Sequence, residues 1–437
     1  PSAVFSVREQ DFTEAFSRSG DVVRYLFVHQ NFPGQFLHFV RHLLAQDHEI
    51  VFISEANNNH IPGVRRAIYR VPRLPSMETH PHLREFEYGL LRAEAVATAA
   101  RTLKGLGYEP DIIVGHHGWG ELLNLGDVFP DCPILGYFEF FYHADQNDVG
   151  FDPEFPPSPE LAAAVRVKNS INLQALCLKN GYGQSPTQFQ LGTYPAWAQE
   201  KISLLREGVN LDLCSPEPQA RRRNLVINGV RITPKDALVT YVARDLEPYR
   251  GFHVVMRALP RILAERKDAQ IILVGGDRVS YGTLPPGGGS WREFMLRELE
   301  GKLDLDRVHF VGKVEYDDFR ALLRRSDAHL YLTYPFVASW SLREAMATGC
   351  PIIGSDTAPV REFITHDVTG RLVPFLDSSA IAEATLQLLE ERRTARRLGQ
   401  EARRYAEAEL CLDDYLSRYD DLVSRITNRK GAGDDGQ

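Results

Sequence analysis

Residues 337–354, VASWSLREAMATGCPIIG, leave the chain few ways to fold. Ser339 or Ser341 can cap a short helix whose Leu342, Ala345 and Met346 share one apolar face, and Gly349 ends it. Residues 351–354 then form a short apolar run without polar alternation, the pattern of a strand buried on both faces of a parallel sheet. Asp356 opens a loop toward a helix expected over 360–365. Helix, glycine, buried strand and helix again make the edge of a βαβ unit.

The same alternation fills the rest of the chain. Strands are expected over 25–29, 50–54, 70–72, 111–115, 134–138, near 183 and over 201–205, with helices over 35–46, 86–106, 163–179 and 187–191. A second series follows, with strands over 237–243, 271–275, 308–312, 329–333 and 370–373 and helices over 252–259, 291–299, 317–325, 379–390, 392–408 and 412–426. A chain of 437 residues exceeds one ordinary core, so the pattern predicts two α/β domains. The proline- and arginine-rich stretch 216–224 suits the connection between them. The expected division is a leader over 1–23 outside the fold, a first domain over 24–215, a connection over 216–235, a second domain over 236–405, a C-terminal helix over 406–428 that packs back on the first domain, and a tail over 429–437. Residues 280–290, rich in Gly, Pro and Ser, read as a surface loop.

A formal net charge of -8 gives no reason to expect nucleic-acid binding. Basic runs at 221–223, 324–325 and 392–404 fit solvated helix faces and linkers, or at most peripheral contact with an anionic membrane surface. Five scattered cysteines support neither a disulfide framework nor a metal knot, and a reducing, cytoplasmic setting is expected.

Ligands of open α/β sheets bind at the carboxyl ends of the strands, which directs attention to the residues placed there. Arg244 and Arg250 lie six apart across a loop between a strand and a helix, where two planar forks of donors would suit a diphosphate; ion pairs with Asp245 and Glu247 fit the same spacing. Glu344 offers acceptors to a vicinal diol, or a local pair with Arg343 or Arg361. His116 closes a buried strand and is a ligand contact or a satisfied loop histidine. Gly34 stands in a turn with one glycine, QNFPGQF, where backbone approach to a phosphate and a plain tight turn are both possible. Glu139, His143 and Asp148 emerge from an aromatic strand end and could line an acceptor pocket. No histidine or cysteine cluster and no Asp-x-Asp at a strand end argue for a metal.

The block SWSLREAMATGCPIIGSDTAPVREFITHDVTGRLVPF resembles the donor-binding segment of the retaining glycosyltransferases of family GT4, which have the GT-B fold: two Rossmann-like α/β domains facing each other across a cleft. Glu344 matches the second Glu of the family's Glu, seven residues, Glu pattern, and Glu362 a downstream Glu. The first Glu falls on Phe336, a departure that removes the carboxylate set against the transferred sugar. Arg244 and Arg250 match an Arg and a Lys on the donor phosphates, Asp111 to His116 match a strand ending in a histidine near the sugar, and REGVNLDLCSPEP resembles the passage into the second domain. The resemblance implies a nucleoside diphosphate sugar donor, UDP or GDP before other bases, no cofactor and no metal. It implies Gly34 and the backbone at 337–339 (Val337, Ala338, Ser339) as further donor contacts, Val311 at the base, and transfer with retention to a hydroxyl on a small molecule, lipid-linked glycan or protein. Glu139 is a candidate replacement for the lost carboxylate. A sugar-nucleotide epimerase of the same fold and a non-catalytic nucleotide-sugar-binding partner remain the alternatives; the oligomeric state stays open.

Overall fold

The computed structural model describes residues 5–7 and 22–432. The strands of the first sheet are β1 (Phe5–Val7), β2 (Arg24–Val28), β3 (Glu49–Ser54), β4 (Val64–Tyr69), β5 (Ile112–His116), β6 (Ile134–Tyr137), β7 (Gly181–Ser185) and β8 (Ile202–Leu204). They lie in the order β1-β4-β3-β2-β5-β6-β7-β8, parallel throughout except that β1 pairs antiparallel with β4. The leader expected over 1–23 falls outside the described residues apart from 5–7 and 22–23, and 5–7 is a strand of this sheet.

Continuous apolar sequence is what a parallel sheet covered on both faces demands, and β2 and β5 are buried along their whole length. The strand expected at 70–72 is instead β4, VRRAIY, with Ala67 and Tyr69 buried. Arg65 and Arg66 obscure its alternation; Arg65 pairs with Glu49 at 3.3 Å. The helix expected over 163–179 is two, Leu161–Lys168 and Ser170–Leu176. The break sits at Asn169, whose side-chain amide accepts from the Tyr142 N–H (2.9 Å) and donates to the Tyr142 carbonyl (2.7 Å). An Asn that completes a distant peptide's hydrogen bonds can cost the helix a turn.

A hairpin, β9 (Leu225–Ile227) and β10 (Val230–Ile232), precedes the second sheet. That sheet holds β11 (Ala237–Asp245), β12 (Ala269–Gly276), β13 (Val308–Gly312), β14 (Ala328–Tyr331), β15 (Ile352–Ser355) and β16 (Arg371–Val373), all parallel, in the order β13-β12-β11-β14-β15-β16. Order reverses on either side of β11, so the carboxyl ends of β11 and β14 flank a switch point, where such sheets take ligands. The helix after β11 runs Phe252–Glu265 and buries Phe252, Val255, Met256 and Leu259.

The chain forms two compact units. One holds residues up to Asp145, Pro157–Arg206 and the chain from Leu416 onward; the other holds Gln146–Pro156 and Glu207–Tyr415. The boundary expected near 215 therefore falls at 206, because the passage 207–214 packs within the second unit. The Arg403 guanidinium donates to the carbonyls of Leu211 (3.1 Å) and Cys214 (2.8 Å), and Val209 bridges to Cys411. Loop residues 146–156 also belong to the second unit, held by Tyr249 on Asp148 (3.0 Å) and Tyr334 on Asp152 (2.8 Å). The last helix runs Leu412–Ala432, reaching into the tail expected from 429; residues 433–437 lie outside the described ones.

Candidate active site

In the second unit, β11 ends at Arg244 and Asp245, and a short turn, Pro248–Arg250, leads to Gly251, whose φ of 72° opens the helix. A side chain at 251 would also meet Leu332 at 2.5 Å, so this tight entry needs glycine. Arg244 is exposed and Arg250 buried. One Arg250 nitrogen donates to Thr333 Oγ1 and to the Val337 carbonyl, both at 2.8 Å. Burial opposes the Arg250 charge, but the surrounding tyrosines, Tyr331, Tyr281 (also by a side-chain hydrogen bond) and Tyr241, outweigh it, and its pKa lies above the ordinary arginine value. Both guanidinium groups lie near one ring: Arg250 lies 5.0 Å and Arg244 5.9 Å from the centroid of the Tyr281 ring. Neither ion pair weighed for them, with Asp245 or with Glu247, is their main contact.

Phe336 is buried, edge-on to Tyr249 (5.6 Å) and Tyr281 (5.2 Å). Of the amides at 337–339, that of Ser339 donates to the Tyr331 hydroxyl (2.7 Å), and Ala338 is buried. Ser339 is the N-terminal flank of the helix Trp340–Ala347, but its hydroxyl bonds Ser341 rather than capping the helix. On that helix Arg343 pairs with Glu207 (3.3 Å), and Arg361, on the helix Ala358–Arg361, pairs with Asp356, so Glu344, though the Arg343 charge still acts on it, has neither of the close ion pairs expected for it. It accepts instead from the Tyr316 hydroxyl (2.8 Å), and burial raises its pKa above the usual carboxylate value. Val311, buried at the end of β13, has its carbonyl taken by Asn228 Nδ2 at 2.8 Å.

In the first unit, β2 and β5 are neighbours, and the histidines at their carboxyl ends, His29 and His116, have ring centroids 6.0 Å apart. The Gly118 N–H donates to His116 Nδ1 (2.9 Å), which leaves the proton on Nε2, 3.5 Å from Glu139 Oε2. Burial lowers the His29 pKa to about 4, with His116 adding to the effect. Gly34, at φ 57°, closes over His29: a Cβ there would lie 2.7 Å from His29 Nδ1. Gly34, His29, His116 and Glu139 thus form one group. His143, by contrast, turns to the Thr193 carbonyl (2.7 Å).

Sequence reasoning missed His29, Glu207, Thr333 and Tyr281. His29 alone carried a signal, since it ends a buried strand as His116 does. Among the described residues Asp152, Glu154 and His253 bring potential metal ligands within 4.8 Å of one another. Both Glu154 oxygens are engaged by Arg257 at 2.6 Å and Asp152 by Tyr334, which makes the group an ion-pair pin for residues 146–156.

Two parallel-sheet α/β units, with arginines, histidines and carboxylates at the carboxyl ends of their strands, define a fold of the GT-B class. Residues 46–214 match the model of the glycosyl transferase family 4 group, and residues 225–405 that of the glycosyl transferases group 1. The chain belongs to this family, GT4. It is 31% identical over 187 residues to a phosphatidyl-myo-inositol mannosyltransferase of Mycobacterium leprae, 42% of each chain. It is 30% identical over 168 residues to an N-acetyl-alpha-D-glucosaminyl L-malate synthase of Bacillus anthracis, 38% of this chain and 40% of that protein. The matched region thus spans less than half the length of these curated relatives. Among solved structures, a sucrose-phosphate synthase of Thermosynechococcus elongatus superimposes with a TM-score of 0.69 at 20% identity, over 93% of this chain and 100% of that one. The Anabaena protein HepE, in complex with UDP and glucose, gives 0.62 at 17% identity over 92% and 100%. Among the described residues no helix is long and apolar enough to cross a membrane.

Proposed function

We propose that this protein transfers a glycosyl group from a nucleoside diphosphate sugar to a hydroxyl acceptor, with retention at the anomeric carbon. The nearness of Arg244 and Arg250 to one tyrosine ring carries the proposal. Two fixed cations beside a helix entry suit a leaving diphosphate, whose negative charge grows as the glycosyl group departs with oxocarbenium character. Glu344, which forms no close ion pair with Arg343 or Arg361, takes the ribose hydroxyls, and the peptide around Val311 meets the base. Val337, Ala338 and Ser339 line the phosphate and sugar side. In the first unit Gly34, His116 and Glu139 form a group of their own, whose chemistry suits sugar or acceptor hydroxyls. The HepE complex, which contains UDP, supports UDP as the first base to try, with GDP second. The mannosyltransferase relative supports an alcohol acceptor, small or lipid-linked. Five free cysteines agree with a cytoplasmic setting, and membrane contact is at most peripheral.

Incubation with a panel of UDP, GDP, ADP, CDP and dTDP sugars tests the reading, with release of the nucleoside diphosphate and mass of the glycosylated product as readouts. One donor should be consumed, and the product should keep the donor's anomeric configuration. Consumption with interconversion of the sugar and no transfer would make the protein an epimerase, and binding without turnover would make it a partner protein.

A further inference from the structure

The glycine- and proline-rich loop after β12 is anchored against the arginines, and its anchor is a buried acid. Glu247 is 0% exposed. Its carboxylate accepts from three consecutive backbone N–H groups, those of Ser280 (3.2 Å), Tyr281 (3.2 Å) and Gly282 (2.9 Å). Asp245, also buried, accepts from the Ser280 hydroxyl. Gly276 leaves it room, since a Cβ there would lie 2.3 Å from Asp245 Oδ1. Further along, Trp291 Nε1 donates to the Thr283 carbonyl (2.9 Å).

Burying a carboxylate is costly, and successive backbone N–H groups aimed at it are the arrangement that offsets the cost. Here the burial raises the Glu247 pKa and the three N–H groups work against that rise. A plain surface loop has no use for such an anchor. Its result is the position of one side chain: Tyr281 lies with its ring within cation–π range of both Arg244 and Arg250, and it packs on Phe336.

We infer that Tyr281 is a positioning residue for the diphosphate-binding arginines, and that Glu247 positions Tyr281 by fixing residues 280–282. This rests on the proposed glycosyl transfer and deepens it. Arg244 is exposed, with a long side chain whose rotamer freedom a ligand must otherwise freeze; an aromatic face beneath it removes part of that cost before the donor arrives. The same ring faces Arg250, so both forks are set by one support.

Tyr281→Phe, Tyr281→Leu, Glu247→Gln and the double variant Glu247→Gln/Tyr281→Leu test it, with calorimetric affinity for the nucleoside diphosphate and donor KM and kcat as readouts. Phe keeps the aromatic face but loses the Tyr281 hydroxyl's interaction with Arg250, so it should fall between wild type and Leu, while Leu should weaken nucleotide binding and raise donor KM about tenfold. Glu247→Gln brings an amide N–H toward backbone donors, and should reproduce the Leu effect with little further loss in the double variant. Leu binding the nucleotide as tightly as wild type would overturn the inference, as would a Glu247→Gln effect that persists in full on top of Tyr281→Leu. Failure of the wild-type protein to consume any donor would instead count against glycosyl transfer itself, and the calorimetric arm would still decide the role of Tyr281.

Discussion

Arg244 and Arg250 share a ring but not a surrounding, and that difference sorts what each substitution reports. Arg250 is buried and holds Thr333 and the Val337 carbonyl, so Arg250→Ala removes structure as well as charge. Arg244 is exposed, and Arg244→Ala should change the unfolding free energy by less than about 0.5 kcal/mol while lowering transfer more than about tenfold. Wild-type rates would remove it from the phosphate site. Glu121 gives a separate prediction. It is buried in the first unit, accepts from the Tyr69 hydroxyl at 2.5 Å, and burial lifts its pKa to about 7. Above the ordinary value of 4.5 the unfolded chain has lost this proton while the folded chain keeps it, so the folded state binds more protons between 4.5 and about 7. Stability should therefore fall as pH rises through that window, by on the order of 3 kcal/mol from this group. Urea midpoints of Glu121→Gln, which retains an acceptor for Tyr69, should lack that slope; a slope equal to wild type would refute the assignment.

At the scale of elements, the helix Trp340–Ala347 is fixed from behind by the helix Arg392–Glu409. The two meet at glycines: Gly349, at φ 67°, ends the first, and a Cβ on Gly399 would lie 2.2 Å from the Gly349 carbonyl oxygen. Alanine is the better helix former by about 1 kcal/mol, yet the obstacle here is backbone, which has no rotamer to yield. Gly399→Ala should cost about 1–3 kcal/mol in chemical denaturation. Gly105→Ala, where nothing lies within 4 Å, should cost nothing and serves as the control. Nothing in RRLGQEARR marks Gly399, because its requirement is set by a residue 50 positions away. The same limit runs through the site. Buried parallel strands are legible since each needs a continuous apolar run, and their ends point to Arg244, Arg250 and His116. Tyr281 was not legible, because its place depends on Glu247 more than thirty residues earlier, and β4 was hidden by arginines whose partners lie on other segments. Arg343, the neighbour of Glu344 in sequence, was the obvious ion-pair partner for it, and only packing sends Arg343 to Glu207.

For the molecule as a whole, the chain passes between its two compact units at 145/146, 156/157, 206/207 and 415/416. No single cut separates them, so the location of nucleotide binding has to be tested in the full chain. A ligand that binds only the folded state stabilises it by about 2.7 kcal/mol at a concentration of 100 Kd. Hydrogen exchange reads where that stabilisation appears, since an amide whose opening releases the ligand exchanges more slowly in its presence. Saturating nucleoside diphosphate should slow exchange over 244–252, 280–282 and 333–344, the segments that carry Arg244, Arg250, Tyr281 and the approach to Glu344. The strands β2, β3 and β5 of the other unit lack any group assigned to the nucleotide, and their sub-global opening should be unchanged. In Glu344→Ala the protection should weaken together with a rise in donor KM, because a carboxylate that accepts two ribose hydroxyls contributes to binding of the ground state and the transition state alike. Protection confined to the loop 30–34 and to His116 would place the nucleotide in the first unit and reverse the assignment of the two halves.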